Sequence, residues 1–136
     1  MAEKIQRQKM LEQKAEDRIK NFQEVPYGFS SDTAKLEADR CLQCKKPLCR
    51  EGCPVDINIP AFIKCISEGN YIEASIEIKK ENNLPAVCGR VCPQEDQCEK
   101  MCIVGKKSNS VNIGALERFA ADYERDKGKI FPGLFH

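Results

Sequence analysis

The stretch Cys41-Leu42-Gln43-Cys44-Lys45-Lys46-Pro47-Leu48-Cys49-Arg50-Glu51-Gly52-Cys53-Pro54 carries four cysteines at spacings of x2, x4 and x3, with a proline after the last. A second group follows as Cys88-x3-Cys92-x5-Cys98-x3-Cys102, and Cys65 stands alone between the two. Thiolates are soft donors that stabilise iron–sulfur clusters or zinc. Structural zinc favours pairs of short C-x2–4-C knuckles, which these gaps fit poorly. A zinc-stabilised interaction module is the alternative to a cluster protein.

A cubane cluster needs four ligands around a compact core. A tight loop supplies three, and the fourth comes from a distance. In two-cluster runs the cysteine before proline goes to the other cluster, and Cys53-Pro54 repeats that feature with a different inner gap. The pattern therefore predicts two [4Fe–4S] clusters with an exchange between the loops. Cys41, Cys44 and Cys49 hold the first cluster, and Cys102 crosses to complete it. Cys53 crosses to the second and joins Cys92 and Cys98. The fourth ligand of the second cluster is open at this level, although a thiolate preference favours Cys88. Cys65 is expected to be a packing residue, as free cysteines often are.

Composition agrees with a fold held by more than apolar burial. Hydrophobic residues are 41% of the 136, and nine of them are cysteines; charged residues reach 32%, there is no Trp, and the one His is His136. A core from so small an apolar set is thin, and ligand binding confined to the folded state is itself folding free energy. The net charge of +1 gives no strong pull toward nucleic acid or an acidic membrane surface. No run approaches the roughly 20 apolar residues of a membrane span, and the first residues lack an apolar signal core. A cytoplasmic location follows as the expectation. There thiols stay reduced, and the odd cysteine count also argues against a closed disulfide set.

The remaining pattern predicts helices. In the charged stretch 3–20, Leu11, Ala15 and Ile19 recur every four residues, a narrow stripe that predicts a solvated helix with a thin docking face. Pro26, Tyr27 and Gly28 break the chain. Ser30, Ser31 and Asp32 offer caps for a helix through Ala34, Leu36 and Ala38. The segment from Cys41 to Cys53 is expected to be loop. Pro60 suits the first turn of a helix that presents Phe62, Ile63 and Ile66 on one face and ends at Gly69. A further helix runs from Tyr71 to about Lys80, and Pro85 is expected to end that run. A second cysteine loop, with a short helix near 94–100, then leads to a last helix capped by Ser110 or Asn112. That helix carries Ile113, Leu116, Phe119, Ala120 and Tyr123. An irregular tail follows Lys127. No alternating strand pattern appears, so the expected class is all-α with two cysteine-rich cluster-binding loops.

Several stretches go beyond the cysteines: Glu37-Ala38-Asp39-Arg40-Cys41-Leu42-Gln43-Cys44, Gly52-Cys53-Pro54-Val55, Ile59-Pro60-Ala61-Phe62-Ile63, Asn83-Leu84-Pro85-Ala86, Cys88-Gly89-Arg90-Val91-Cys92-Pro93-Gln94-Glu95 and Ile113-Gly114-Ala115-Leu116-Glu117-Arg118-Phe119. On these, the segment from Arg18 to Tyr123 resembles the N-terminal iron–sulfur domain of the glutamate synthase small subunit. The same domain opens NADPH-dependent ferredoxin:NADP oxidoreductase and dihydropyrimidine dehydrogenase. The resemblance implies a helical ferredoxin-like fold with two [4Fe–4S] clusters. It also implies that the second cluster takes its fourth ligand from the helix after the last cysteine, a Gln in dihydropyrimidine dehydrogenase. Glu117 holds the matching position, which would leave Cys88 nearby and unbound.

Among Lys45, Lys46, Arg50, Arg90, Lys100, Lys106 and Lys107, only Arg90, inside a ligand loop, is expected to offset cluster charge. The others read as solvated cations. In the related enzymes a flavin- and NADPH-binding portion follows this domain, opened by a G-x-G-x-x-G turn. No such motif occurs here, nor any catalytic triad. The expected role is an electron-transfer subunit without a catalytic site of its own, relaying electrons between a flavoprotein NAD(P)H oxidoreductase and another redox centre. The alternative is a truncated N-terminal domain of a glutamate synthase small subunit-like enzyme. The expected organisation is a helical extension over 1–17, the two-cluster domain over 18–126 and a tail over 127–136.

Overall fold

The computed structural model describes residues 4–127, which form seven α-helices, three single-turn 3-10 helices and no β-strand. The expected all-α class holds. Helix α1 (Ala15–Arg18) is one turn. Helix α2 (Ser31–Ala38) begins where Ser30 accepts the Thr33 N–H on its Oγ at 3.2 Å, the capping bond its sequence predicts. Helix α3 (Leu48–Gly52) lies inside the first cysteine stretch, so that stretch is not all loop. Helix α4 (Ile59–Ser67) carries Pro60 in its first turn. Gly69 follows at φ +82, a left-handed conformation that glycine adopts without a Cβ penalty. Helix α5 (Tyr71–Lys79) is as expected.

Helix α6 (Pro85–Val91) revises the reading of Pro85. The proline opens a helix that contains Cys88. Its missing N–H falls where a helix has unpaired donors in any case. Turns at Gln94–Asp96, Glu99–Met101 and Ile103–Lys106 then lead to α7 (Ile113–Asp126). The tail beyond Lys127 lies outside the described residues.

The predicted N-terminal helix is also revised. Residues 4–14 are not helical, and Glu12 makes an isolated antiparallel bridge with Pro26. The Gln13 N–H donates to Val25 O at 2.8 Å and the Tyr27 N–H to Leu11 O at 2.8 Å. Leu11 and Ile19, the supposed docking stripe, are 79% and 80% exposed. The arm is held by polar contacts instead. The Gln8 N–H donates to Glu37 Oε2 at 2.8 Å, and Arg7 pairs with Glu99 Oε1 at 2.9 Å. Such long-range bonds override a helix propensity that is weak for a short isolated segment.

Phe62, Ile63 and Ile66 of α4, Ile78 of α5 and Leu116 of α7 are all but fully buried. Each contributes roughly 1.5–3 kcal/mol by burial. Tyr71 packs edge-on to Phe119 at 5.1 Å and to Tyr123 at 4.9 Å, which ties the start of α5 to α7. Ser75 and Lys79 of α5 both donate to buried Glu124 of α7.

Helix α7 has no side-chain cap of its own, because Asn112 turns its Nδ2 to Gln8 O. Two buried carboxylates from elsewhere replace it. Glu37 Oε1 accepts the Asn112 N–H at 3.2 Å, and Glu99 Oε2 accepts the Gly114 N–H at 3.3 Å. Negative charge at a helix N-terminus also suits the helix dipole.

Candidate metal centres

The thiols of Cys41, Cys44, Cys49 and Cys102 line one cavity. Its other walls are apolar and include Leu48, Ile59, Ile63, Val111 and Ile113. Cys41 follows the end of α2, and Cys102 separates two 3-10 turns. Cys44 precedes α3, on which Cys49 sits. The crossing of Cys102 to the first three cysteines thus has a geometric basis. Burial raises the Cys49 thiol to about 12, aided by the neighbouring charges of Cys102, Cys41 and Cys44. Burial likewise raises Cys41, with Cys102 and Cys44 as like-charged neighbours.

Gln43 shapes this rim. Its φ of +51 is left-handed, an uncommon conformation for a residue with a side chain. In it both the Gln43 N–H and Nε2 lie 3.5 Å from Cys41 Sγ, and Nε2 also donates to Pro60 O at 3.0 Å. N–H donors to a ligand sulfur are a recognised means of tuning a cluster.

The second group gathers Cys53, Cys88, Cys92, Cys98 and Glu117. Burial raises Cys92 to about 11, followed by the charges of Cys88, Glu117 and Cys53. Burial also raises Cys98 strongly, with Glu99, Cys53 and Glu117 as its charged neighbours. Two close glycine approaches bring these residues together. A Cβ on Gly52 would lie 2.6 Å from Gln97 O, so the first cysteine stretch presses on the second just before Cys98. A Cβ on Gly89 would lie 2.6 Å from Arg118 N, so α6 touches the backbone of α7 beside Glu117.

Glu117 is 7% exposed and has one hydrogen-bond donor, Asn82 Nδ2 at 3.0 Å from Oε1. Burial pushes its carboxyl up to about 7 against the pull of Asn82. Asn82 is itself anchored, since its Oδ1 accepts the Leu84 N–H at 3.0 Å. Cys88 and Glu117 are both among the charged neighbours that raise Cys92, so either is a candidate fourth donor.

Arg90 does not face the thiols as its place in sequence suggests. Its guanidinium pairs with Glu24 and with Asp122 at 2.8 Å, and donates to Ala86 O at 2.9 Å. It ties Glu24 and α6 to Asp122 of α7. Arg50 pairs with Asp56 at 2.9 Å. Cys65 lies half-buried against the core, apart from both groups, and burial raises its thiol. Sequence patterns gave no role to Glu37, Asn82 or Glu99. Their contacts to Gln8 and Asn112, to Glu117, and to Arg7 and Gly114 join residues far apart in the chain, which leaves no local signature.

The donor set suits iron–sulfur clusters. Seven or eight soft thiols in two groups, the first of them in an apolar cavity, match cluster ligation. A single zinc ion, with bonds of about 2.3 Å, would draw its thiolates to about 3.8 Å from one another. Among the described residues no three His, Cys, Asp or Glu side chains are gathered in a way that would hold a single ion. No helix among those residues is long and apolar enough to cross a membrane.

Comparison with known proteins agrees with the donor set. Residues 18–129 match the family described as dihydropyrimidine dehydrogenase domain II, 4Fe–4S cluster. The chain is 39% identical over 119 residues to the glutamate synthase [NADPH] small chain of Azospirillum brasilense, covering 87% of this chain and 25% of that protein. It is 42% identical over 107 residues to the corresponding small chain of Escherichia coli K12, covering 79% and 23%. It is 37% identical over 105 residues to the NAD-dependent dihydropyrimidine dehydrogenase subunit PreT of E. coli K12, covering 77% and 26%. The chain thus spans about a quarter of the length of these relatives.

Proposed function

This chain belongs to the family of dihydropyrimidine dehydrogenase domain II, a 4Fe–4S cluster domain, and on that premise we propose that it holds two [4Fe–4S] clusters and relays electrons. We assign Cys41, Cys44, Cys49 and Cys102 to the first cluster. Cys53, Cys92, Cys98 and Glu117 are assigned to the second, with Cys88 adjacent and unbound. The observation that carries the proposal is the sorting of the cysteines from two loops into two mixed sets. Cys102 joins the first loop's thiols, and Cys53 joins the second loop's. When bound, each cluster supplies one-electron chemistry at a potential set by ligands, charge and hydrogen bonds.

The chain's own residues hold, insulate and tune those sites. Ile59, Ile63, Val111 and Ile113 exclude water from the first set. Gln43 directs its N–H groups at Cys41 sulfur. Asn82 holds the Glu117 carboxyl through a hydrogen bond, a fixed placement that supports its assignment as a ligand. The two-cluster unit is assigned to residues 18–126. Its donor or acceptor is a flavoprotein NAD(P)H-dependent oxidoreductase, a partner supported by the NADPH and NAD in the relatives' names. A second reading, in which the same unit works inside a longer oxidoreductase, is favoured by the relatives' fourfold greater length. A separate subunit binds the flavoprotein as a second polypeptide, whereas a domain of a longer enzyme is found only in continuous chain with it.

The test is an anaerobic titration of the purified chain. The expected outcome is broad visible absorption that bleaches with dithionite, takes up about two electrons per chain and returns on reoxidation. A chain whose absorption does not respond to dithionite would contradict the electron-transfer role.

A further inference from the structure

Leu42, Ile103 and Val104 face two hollows at once. Inward they line the cavity of the first thiol set. Outward they join Ile5 as the apolar floor of an open groove of about 510 Å³. One layer of side chains therefore separates those thiols from solvent at this face. Leu42 is 65% exposed and Ile103 36%, and an exposed apolar patch rimmed by polar groups marks a contact surface.

The rim is cationic. Lys4, Lys106 and Lys107 border the groove, and none of them is in an ion pair among the described residues. Among the described residues Asp39 is the one acid on the lining. Arg40 also borders the groove, but its guanidinium is taken up by Glu37 and the backbone oxygens of Asn109 and Ser110. The whole chain carries only +1, so this is a local concentration of positive charge. A wide apolar floor with cations confined to its edge does not suit a small anion. It suits a protein surface on which carboxylates surround a protruding apolar side chain.

We propose that this groove docks a small acidic one-electron carrier protein, its carboxylates meeting Lys4, Lys106 and Lys107 and one of its apolar side chains seated between Leu42 and Ile103. The proposal rests on the electron-transfer reading above and adds the port through which the first site exchanges electrons. One electron leaves the reduced first site and reduces the carrier's oxidised centre by one. No bond is made, and no proton passes between the proteins. Attraction between the lysines and the carrier speeds encounter and weakens as salt rises.

The test uses the anaerobic holoprotein and two probes, an acidic flavodoxin and a basic c-type cytochrome. Binding is measured by calorimetry on the oxidised proteins, and electron transfer by stopped flow. The expected result is binding of flavodoxin in preference to cytochrome. That binding weakens at least about tenfold in the variant Lys106→Glu/Lys107→Glu and on passing from low to high salt, and it strengthens in Asp39→Lys. The salt arm needs no variant, and Asp39 lies outside both cysteine loops, so a folding failure of the lysine variant leaves the test intact. Absent flavodoxin binding, unchanged affinity across the variants, or preference for the cytochrome overturns the proposal. Dithionite bleaching is read in parallel because it requires no docking. Its loss defeats the electron-transfer reading, whereas its retention without salt-dependent binding defeats the docking face alone.

Discussion

Glu117 and Cys88 present the sharpest choice at the level of single residues. Thiolate is the softer donor, yet Glu117 is held in place by Asn82, which is anchored in turn through Leu84. An anchored carboxylate with burial on every side is poorly placed to be an ordinary helix residue, since an unpaired buried charge is costly. With Glu117 as ligand, Glu117→Ala loses the second cluster and about half of the visible absorption, while Cys88→Ser keeps both. The opposite pattern, a loss in Cys88→Ser alone, would reverse the assignment. Glu117→Gln retains an oxygen donor and keeps both clusters, with an altered reduction potential for the second.

Sequence made the thiols legible because their spacing is local. It placed Arg90 at the cluster because that residue sits between Cys88 and Cys92, and the structure turns it toward Glu24 and Asp122 instead. Proximity along the chain says little about direction on a helix, where neighbouring side chains point to different faces.

At the scale of elements, the α6–α7 contact sets the second site. Gly89 allows the two backbones to meet, and a methyl group there would fall 2.6 Å from Arg118 N. Gly89→Ala is expected to part the helices, destabilise the fold by about 1–3 kcal/mol and deplete the second cluster's signal before the first's. Paired reduction potentials and far-ultraviolet circular dichroism would check this. Equal loss of both signals would mean that the contact is not specific to the second site.

The carboxylate of Glu37 plays a comparable part for α2, α7 and the N-terminal arm. It receives Arg40, the Gln8 N–H and the Asn112 N–H. Arg40→Ala leaves that charge buried with fewer partners, a change worth about 3–5 kcal/mol of stability. Denaturant unfolding followed by cluster absorption measures it.

The sequence read α2, α4, α5 and α7 well, because capping residues and apolar periodicity are local signals. It misjudged two elements for opposite reasons. Pro85 reads in sequence as a stop, yet it opens α6, because a proline that ends one helix equally well begins the next. The 3–20 stripe suggested a helix, but the arm's hydrogen bonds go to Glu37, Val25 and Leu11's partner Tyr27, contacts that periodicity does not reveal.

For the molecule as a whole, apolar burial and cluster ligation divide the work of holding the fold. The buried core gathers chiefly on α4, α5 and α7, while the cysteine stretches and the turns between Gln94 and Lys106 add mostly partly buried residues, among them Cys41, Cys49, Cys53, Cys102 and Val104. Ligand binding supplies folding free energy there. The central claim is that each chain carries two cubane clusters. Iron and acid-labile sulfide, determined on chain purified without oxygen, test it most directly. The account predicts about eight of each per chain. A colourless preparation containing zinc and no sulfide would contradict it.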